Sequence, residues 1–154
     1  MRVDWADLAR RLAALCDGED DAIALMATLA CEIHHADERF DWTGFYRVVA
    51  PELLKIGPYQ GGHGCLTIPF ERGVCGKAAR EGRTVIVDDV AAFPGHIACA
   101  ASTRSEIVVP FRAGDGTLLG VLDIDSDRPA AFTREDAVAL EKILEEAFAN
   151  VSMT

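Results

Sequence analysis

The stretch SEIVVPFRAGDGTLLGVLDIDS, residues 105–126, decides the fold. Ser105–Arg112 and Thr117–Asp125 are apolar and β-branched runs, with Gly114-Asp115-Gly116 between them. Two such runs joined by a short Gly/Asp connection read as a hairpin, so the strands pair antiparallel. Helical patterns gather toward both ends of the chain. Hairpin-linked strands with helices so placed predict an α+β fold on an antiparallel sheet.

Working outward, Phe40, Trp42, Tyr46 and Val48 share one parity and Thr43, Phe45 and Arg47 the other, which predicts a strand. Pro51 marks a turn into a second strand, Leu53–Ile56. GPYQGGHG, residues 57–64, holds four Gly and one Pro and is predicted to be a loop. Cys65–Phe70 resumes as a strand, Gly73–Arg80 is a short helix stopped by Gly82, and Thr84–Val87 is a compact β segment. Asp88–Thr103 has little charge and no clear period, with Pro94-Gly95-His96 at its centre. Long apolar loops of this kind are usually binding loops or lids. Trp5, Leu8, Leu12 and Leu15 predict a first helix that ends near Gly18. Ile23, Met26, Ala30 and Ile33 predict a second helix from about Asp20. Thr133 with Asp136 three positions on opens the last helix, striped by Leu140, Leu144, Ala147 and Val151.

The chain has 154 residues, enough for one domain spanning 1–154. Its 25 Asp+Glu against 15 Lys+Arg give a net charge of −10, which argues against nucleic-acid binding. The apolar stretch Ala22–Cys31 is bounded by Asp21 and Glu32 and is far short of the roughly 18–20 residues of a membrane span. The N-terminus MRVDWADLARR lacks the apolar core of a signal peptide, so a cytoplasmic, reducing setting is expected.

Five cysteines are an odd number and too few for a disulfide scaffold. Cys16 and Cys31 fall on or beside apolar helical faces and read as buried packing. Cys65, Cys75 and Cys99 each sit beside a Gly-containing turn, where a thiol is more often accessible. Cys75 falls in the first turn of the short helix, where partial positive charge lowers a thiol pKa. Simple packing of all three is the equal alternative. His63-x-Cys65 and His96-x-x-Cys99 offer zinc ligands, but neither has the spacing of a structural zinc site, so no metal is expected.

Asp123 and Asp125 stand two apart on a strand and so share a face. A solvated face is the ordinary reading of such a pair. Glu106, however, begins the neighbouring strand, and three carboxylates near one sheet end repel each other. At least one pKa is then expected to rise and supply a proton donor at neutral pH. Trp42 and Tyr46 share a parity and can form either core or an aromatic wall.

In this order, Trp42-Thr-Gly-Phe-Tyr46, Gly57-Pro-Tyr-Gln-Gly61, Cys65-Leu-Thr-Ile-Pro-Phe70, Gly73-Val-Cys-Gly76, Phe93-Pro-Gly-His-Ile-Ala-Cys99, Ser105-Glu-Ile-Val-Val-Pro110 and Gly120-Val-Leu-Asp-Ile-Asp-Ser126 resemble the free methionine-(R)-sulfoxide reductases, which are single GAF domains. The resemblance implies a GAF-like, six-stranded antiparallel sheet flanked by helices. It implies Cys99 as catalytic cysteine, Cys65 as main resolving cysteine and Cys75 as an auxiliary third. It implies Glu106, Asp123 and Asp125 as pocket carboxylates, and Trp42 and Tyr46 as the residues around the substrate methyl group. Free methionine-(R)-sulfoxide as substrate, thioredoxin as reductant, no cofactor and a homodimer are implied likewise. Ala100 departs from the Asp that commonly follows the catalytic cysteine, and Asp41, Thr43 and Tyr59 stand where Asn, Val and Phe are commoner.

In the mechanism this implies, Cys99 attacks the sulfoxide sulfur while a carboxylic acid, with Glu106 the first choice, protonates the oxygen. The competing expectation is a GAF sensor that binds a small ligand without turnover. Sensors usually carry an output domain, for which the chain beyond the last helix leaves no room.

Overall fold

The computed structural model describes residues 2–96 and 100–151. Among these, α1 (Trp5–Leu15) and α2 (Ala22–His35) precede β1 (Trp42–Ala50), β2 (Leu53–Gln60) and β3 (Thr67–Pro69). Then follow α3 (Gly73–Glu81), β4 (Val85–Val87), a 3₁₀ turn (Val90–Ala92), β5 (Ser105–Arg112), β6 (Leu118–Ser126) and α4 (Arg134–Ala147). The six strands form one sheet in the order β3-β2-β1-β6-β5-β4. Every neighbouring pair is antiparallel. The α+β expectation holds.

The helix starts follow local chemistry. Asp4 and Asp21 accept hydrogen bonds from the backbone N–H groups of Asp7 and Ala24. Thr133 and Asp136 form the reciprocal capping box. Gly82 ends α3 at φ 67°, a left-handed position that suits glycine. Leu8, Leu12, Met26, Ala30 and Ile33 are buried as expected and Leu25 and Leu29 join them, while Leu15 and Ile23 are exposed.

Both faces of the sheet are covered. One carries Phe45, Ile107, Val109, Phe111, Leu122 and Ile124 against α1, α2 and α4. The other carries Tyr46, Leu54, Val108 and Val121 against α3. The solvated face that an alternating strand ordinarily presents is therefore absent at β6.

The glycine-rich stretch divides differently from its composition. Gly57–Gln60 continues β2, pairing Tyr59 with Gly44 and Gln60 with Thr43. Between those pairs and Tyr46↔Ile56 the register shifts, so Gly57 and Pro58 oppose Phe45 alone. Proline is tolerated at such a bulge because no ladder hydrogen bond is lost. In turn, Cys65 and Leu66 lie outside β3, in the loop that leads into it.

A buried ion cluster ties the helical layer to the start of β1. Arg39 donates to Asp37 Oδ2 at 2.7 Å and to Asp136 Oδ2 at 2.9 Å. It also donates to the Ala131 carbonyl, and Trp5 Nε1 donates to Asp136 at 3.0 Å. Burial alone would raise both carboxyls, but the hydrogen bonds from Arg39 dominate and hold Asp37 and Asp136 below their usual values.

Candidate active site

The second sheet face gathers the predicted residues by register. Trp42 pairs with Asp125 and Gly44 with Asp123 across β1 and β6. Glu106 pairs with Asp125 across β5 and β6. Directly opposed residues point to the same face, so two aromatics and three carboxyls converge. They line a cleft of about 530 Å³, open mouth included. Val74 and Cys75 of α3, His63 and Gly64, and His96, Ala100 and Thr103 complete it.

The aromatic wall is held rigidly. Trp42 stacks on Tyr59 with centroids 5.4 Å apart, and Tyr46 lies 6.0 Å away on the other side. The indole N–H donates to the Gly62 carbonyl at 2.7 Å. A Cβ at Gly44 would collide with both Trp42 and Tyr59, so glycine there is what allows the stack to lie on the sheet. A Cβ at Gly64 would come within 3.0 Å of the Tyr46 hydroxyl and close the cleft. Tyr59, on a strand whose composition reads as a loop, supports Trp42 from outside the cleft.

The acids are buried and short of partners. Asp123 and Glu106 are 5% and 6% exposed. Asp123 Oδ1 and Asp125 Oδ1 are buried without a hydrogen-bond partner. Burial first, then repulsion within the cluster, pushes both the Asp123 and Asp125 carboxyls well above the usual carboxylate range. Burial and the Asp123 charge likewise raise the Tyr46 phenol. His96 Nε2 stands 3.9 Å from Glu106 Oε1 at the cleft mouth.

A GAF domain family model matches residues 17–149. The chain is 39% identical over 140 residues to the free methionine-R-sulfoxide reductase of Escherichia coli, covering 91% of this chain and 84% of that one. It is 42% identical over 135 residues to the enzyme of that name from Saccharomyces cerevisiae, covering 84% and 75%. The crystal structure of the Neisseria meningitidis free methionine-R-sulfoxide reductase with its substrate superposes at TM-score 0.86 and 42% identity, covering 94% of this chain and 87% of that one.

The chain belongs to the free methionine-R-sulfoxide reductase family of GAF domains.

For a free methionine-R-sulfoxide reductase the cysteines hold the most interest, and here the structure corrects several expectations. Cys75 does sit in the first turn of α3, but it is 4% exposed and not accessible. Burial, then the charges of Asp123, Glu106 and Asp125, push its thiol well above the ordinary value, overriding the helix terminus. Cys65 is half-buried and disulfide-bonded, which removes it from any zinc ligand set in this state. Cys99 lies outside the described residues. Cys31 was expected to be packed and is instead exposed on α2, and Cys16 is half-buried. The raised Asp123 and Asp125 carboxyls meet the expectation that at least one acid of the cluster is pushed up.

Proposed function

We propose that the chain acts as one GAF domain over residues 1–154 and reduces free L-methionine (R)-S-oxide to methionine by cysteine sulfenic acid and disulfide chemistry. The observation that carries this reading is the set of buried carboxyls beside the aromatic wall, with unpartnered oxygens on Asp123 and Asp125 in the lining of the cleft. An uncharged, thioether-sized group fits the wall of Trp42 and Tyr46. An ammonium group fits the acids, which gives a reason to prefer the free amino acid over a residue in a peptide.

In this reading Cys99 thiolate attacks the sulfoxide sulfur, and the acid pair Asp123–Asp125 gives a proton to the departing oxygen. Burial and mutual repulsion raise both carboxyls, which suits a proton donor, and Glu106 lies beside them to share the ammonium. Methionine leaves and the oxygen stays on Cys99 as a sulfenic acid. The Cys65 thiol then attacks that sulfur, water departs and a Cys65–Cys99 disulfide closes. An external dithiol, thioredoxin, restores both thiols by exchange. The disulfide at Cys65 supports this assignment. Cys75 is the auxiliary thiol of the set. A cytoplasmic homodimer without nucleic-acid or membrane partners completes the proposal. Among the described residues no helix is long and apolar enough to cross a membrane. A ligand-binding sensor would not need an acid cluster of this kind.

The test compares free methionine (R)-sulfoxide with its N-acetyl derivative, using dithiothreitol as reductant and chromatography of the methionine formed. Turnover of the free form, with the N-acetyl form slower by about tenfold or more, is expected from loss of a buried charge-assisted contact. Equal rates for the two, or no product from either, would contradict the proposal.

A further inference from the structure

The cleft brings together a sulfur and carboxyl donor set of the kind that holds a metal ion. Cys75 Sγ, a Glu106 carboxyl oxygen and an Asp123 carboxyl oxygen lie within 4.8 Å of one another, all three residues buried. Asp123 Oδ1 lacks any hydrogen-bond partner, and Asp123 lines the cleft. His96 Nε2, 3.9 Å from Glu106 Oε1, stands on the open side. One sulfur, two carboxylate oxygens and an imidazole are the donor types of a tetrahedral zinc site. Sequence spacing pointed to other pairs, His63 with Cys65 and His96 with Cys99. The fold assembles a different set from three elements.

We propose that Cys75, Glu106 and Asp123 form a binding site for a thiophilic divalent cation such as Zn²⁺, with His96 or a water as fourth ligand. Zinc bonds of about 2.3 Å to sulfur and about 2.1 Å to oxygen put ligand atoms about 3.4–3.6 Å apart, so the side chains close in by about 1 Å. Binding forms one metal–sulfur and two metal–oxygen bonds and releases to solvent the thiol proton and the proton held on Asp123, with no change of oxidation state. Of the cysteines the site needs Cys75 alone, which is free while Cys65 is disulfide-bonded. The cation would occupy the place of the substrate ammonium, a consequence that rests on the proposed reductase reading.

The intact protein, with the Cys65 disulfide in place, is titrated with Co²⁺ and followed by its near-ultraviolet thiolate-to-cobalt band. The band should saturate at a single ion per chain, vanish in Cys75→Ser and persist in Cys31→Ser, with Zn²⁺ displacing the cobalt. Asp123→Asn should weaken binding by at least about tenfold, with far-ultraviolet circular dichroism confirming its fold. A missing band, or one that survives Cys75→Ser, overturns the site. In the reductase assay Zn²⁺ should raise KM for the sulfoxide and leave kcat alone; a fall in kcat at constant KM overturns the competition. The cobalt titration decides the site even if the protein shows no turnover.

Discussion

Replacing Cys99 by serine is expected to lower turnover of free methionine (R)-sulfoxide by about 10⁴-fold or more, to the assay background. The reason is electronic as well as nucleophilic. The sulfoxide gives up its oxygen only if the attacking atom is oxidised by two electrons. Sulfur reaches the sulfenic acid state easily, and a serine hydroxyl has no equivalent state. Sulfoxide consumption by chromatography, in excess dithiothreitol, gives the number. Retained activity in Cys99→Ser together with its loss in Cys75→Ser would move the nucleophile to α3. The buried, raised-pKa thiol of Cys75 argues against that outcome.

Arg39→Ala is expected to destabilise the fold by about 3–5 kcal/mol, because it leaves two buried carboxylates without their cation. The Arg39 side chain is 5% exposed, and those of Asp37 and Asp136 are 0% and 3%. Water therefore cannot replace the lost partner without opening the layer between α4 and the start of β1. The pH dependence has a definite sign. Asp37 and Asp136 have depressed pKa values in the folded state, so their stabilisation is present above the unfolded carboxylate pKa of about 3.9 and is lost as pH falls through the folded values. In Arg39→Ala the acid-dependent loss should be smaller, and the gap between variant and parent should narrow on acidification. Urea unfolding midpoints at neutral and acidic pH measure both effects. A gap that widens as pH falls would contradict the account.

What the sequence discloses follows from locality. The 105–126 hairpin was legible because its two strands and its turn are contiguous. Placing Asp123 and Asp125 on one face needed only the two-residue period of a strand. The Thr133–Asp136 cap was legible because its hydrogen bonds span three residues. The Asp37–Arg39–Asp136 cluster was not, since Arg39 and Asp136 are 97 positions apart. The strand character of Gly57–Gln60 was hidden for the same reason. Its composition favours a loop, and only pairing with β1 at a bulge makes strand the better state. The burial of Cys75 and the identity of the raised carboxyls depend on which face α3 covers. They also depend on the Glu106↔Asp125 register, and neither is written in local spacing. The family resemblance supplied residue roles that no local pattern contains.

The central claim is that this cleft reduces one diastereomer of a free amino acid. NADPH consumption in the presence of thioredoxin and thioredoxin reductase, measured with free methionine (R)-sulfoxide and free methionine (S)-sulfoxide in parallel, tests it most directly. Consumption with the R form and background rates with the S form are predicted. Equal rates with both forms, or none with either, would contradict the claim.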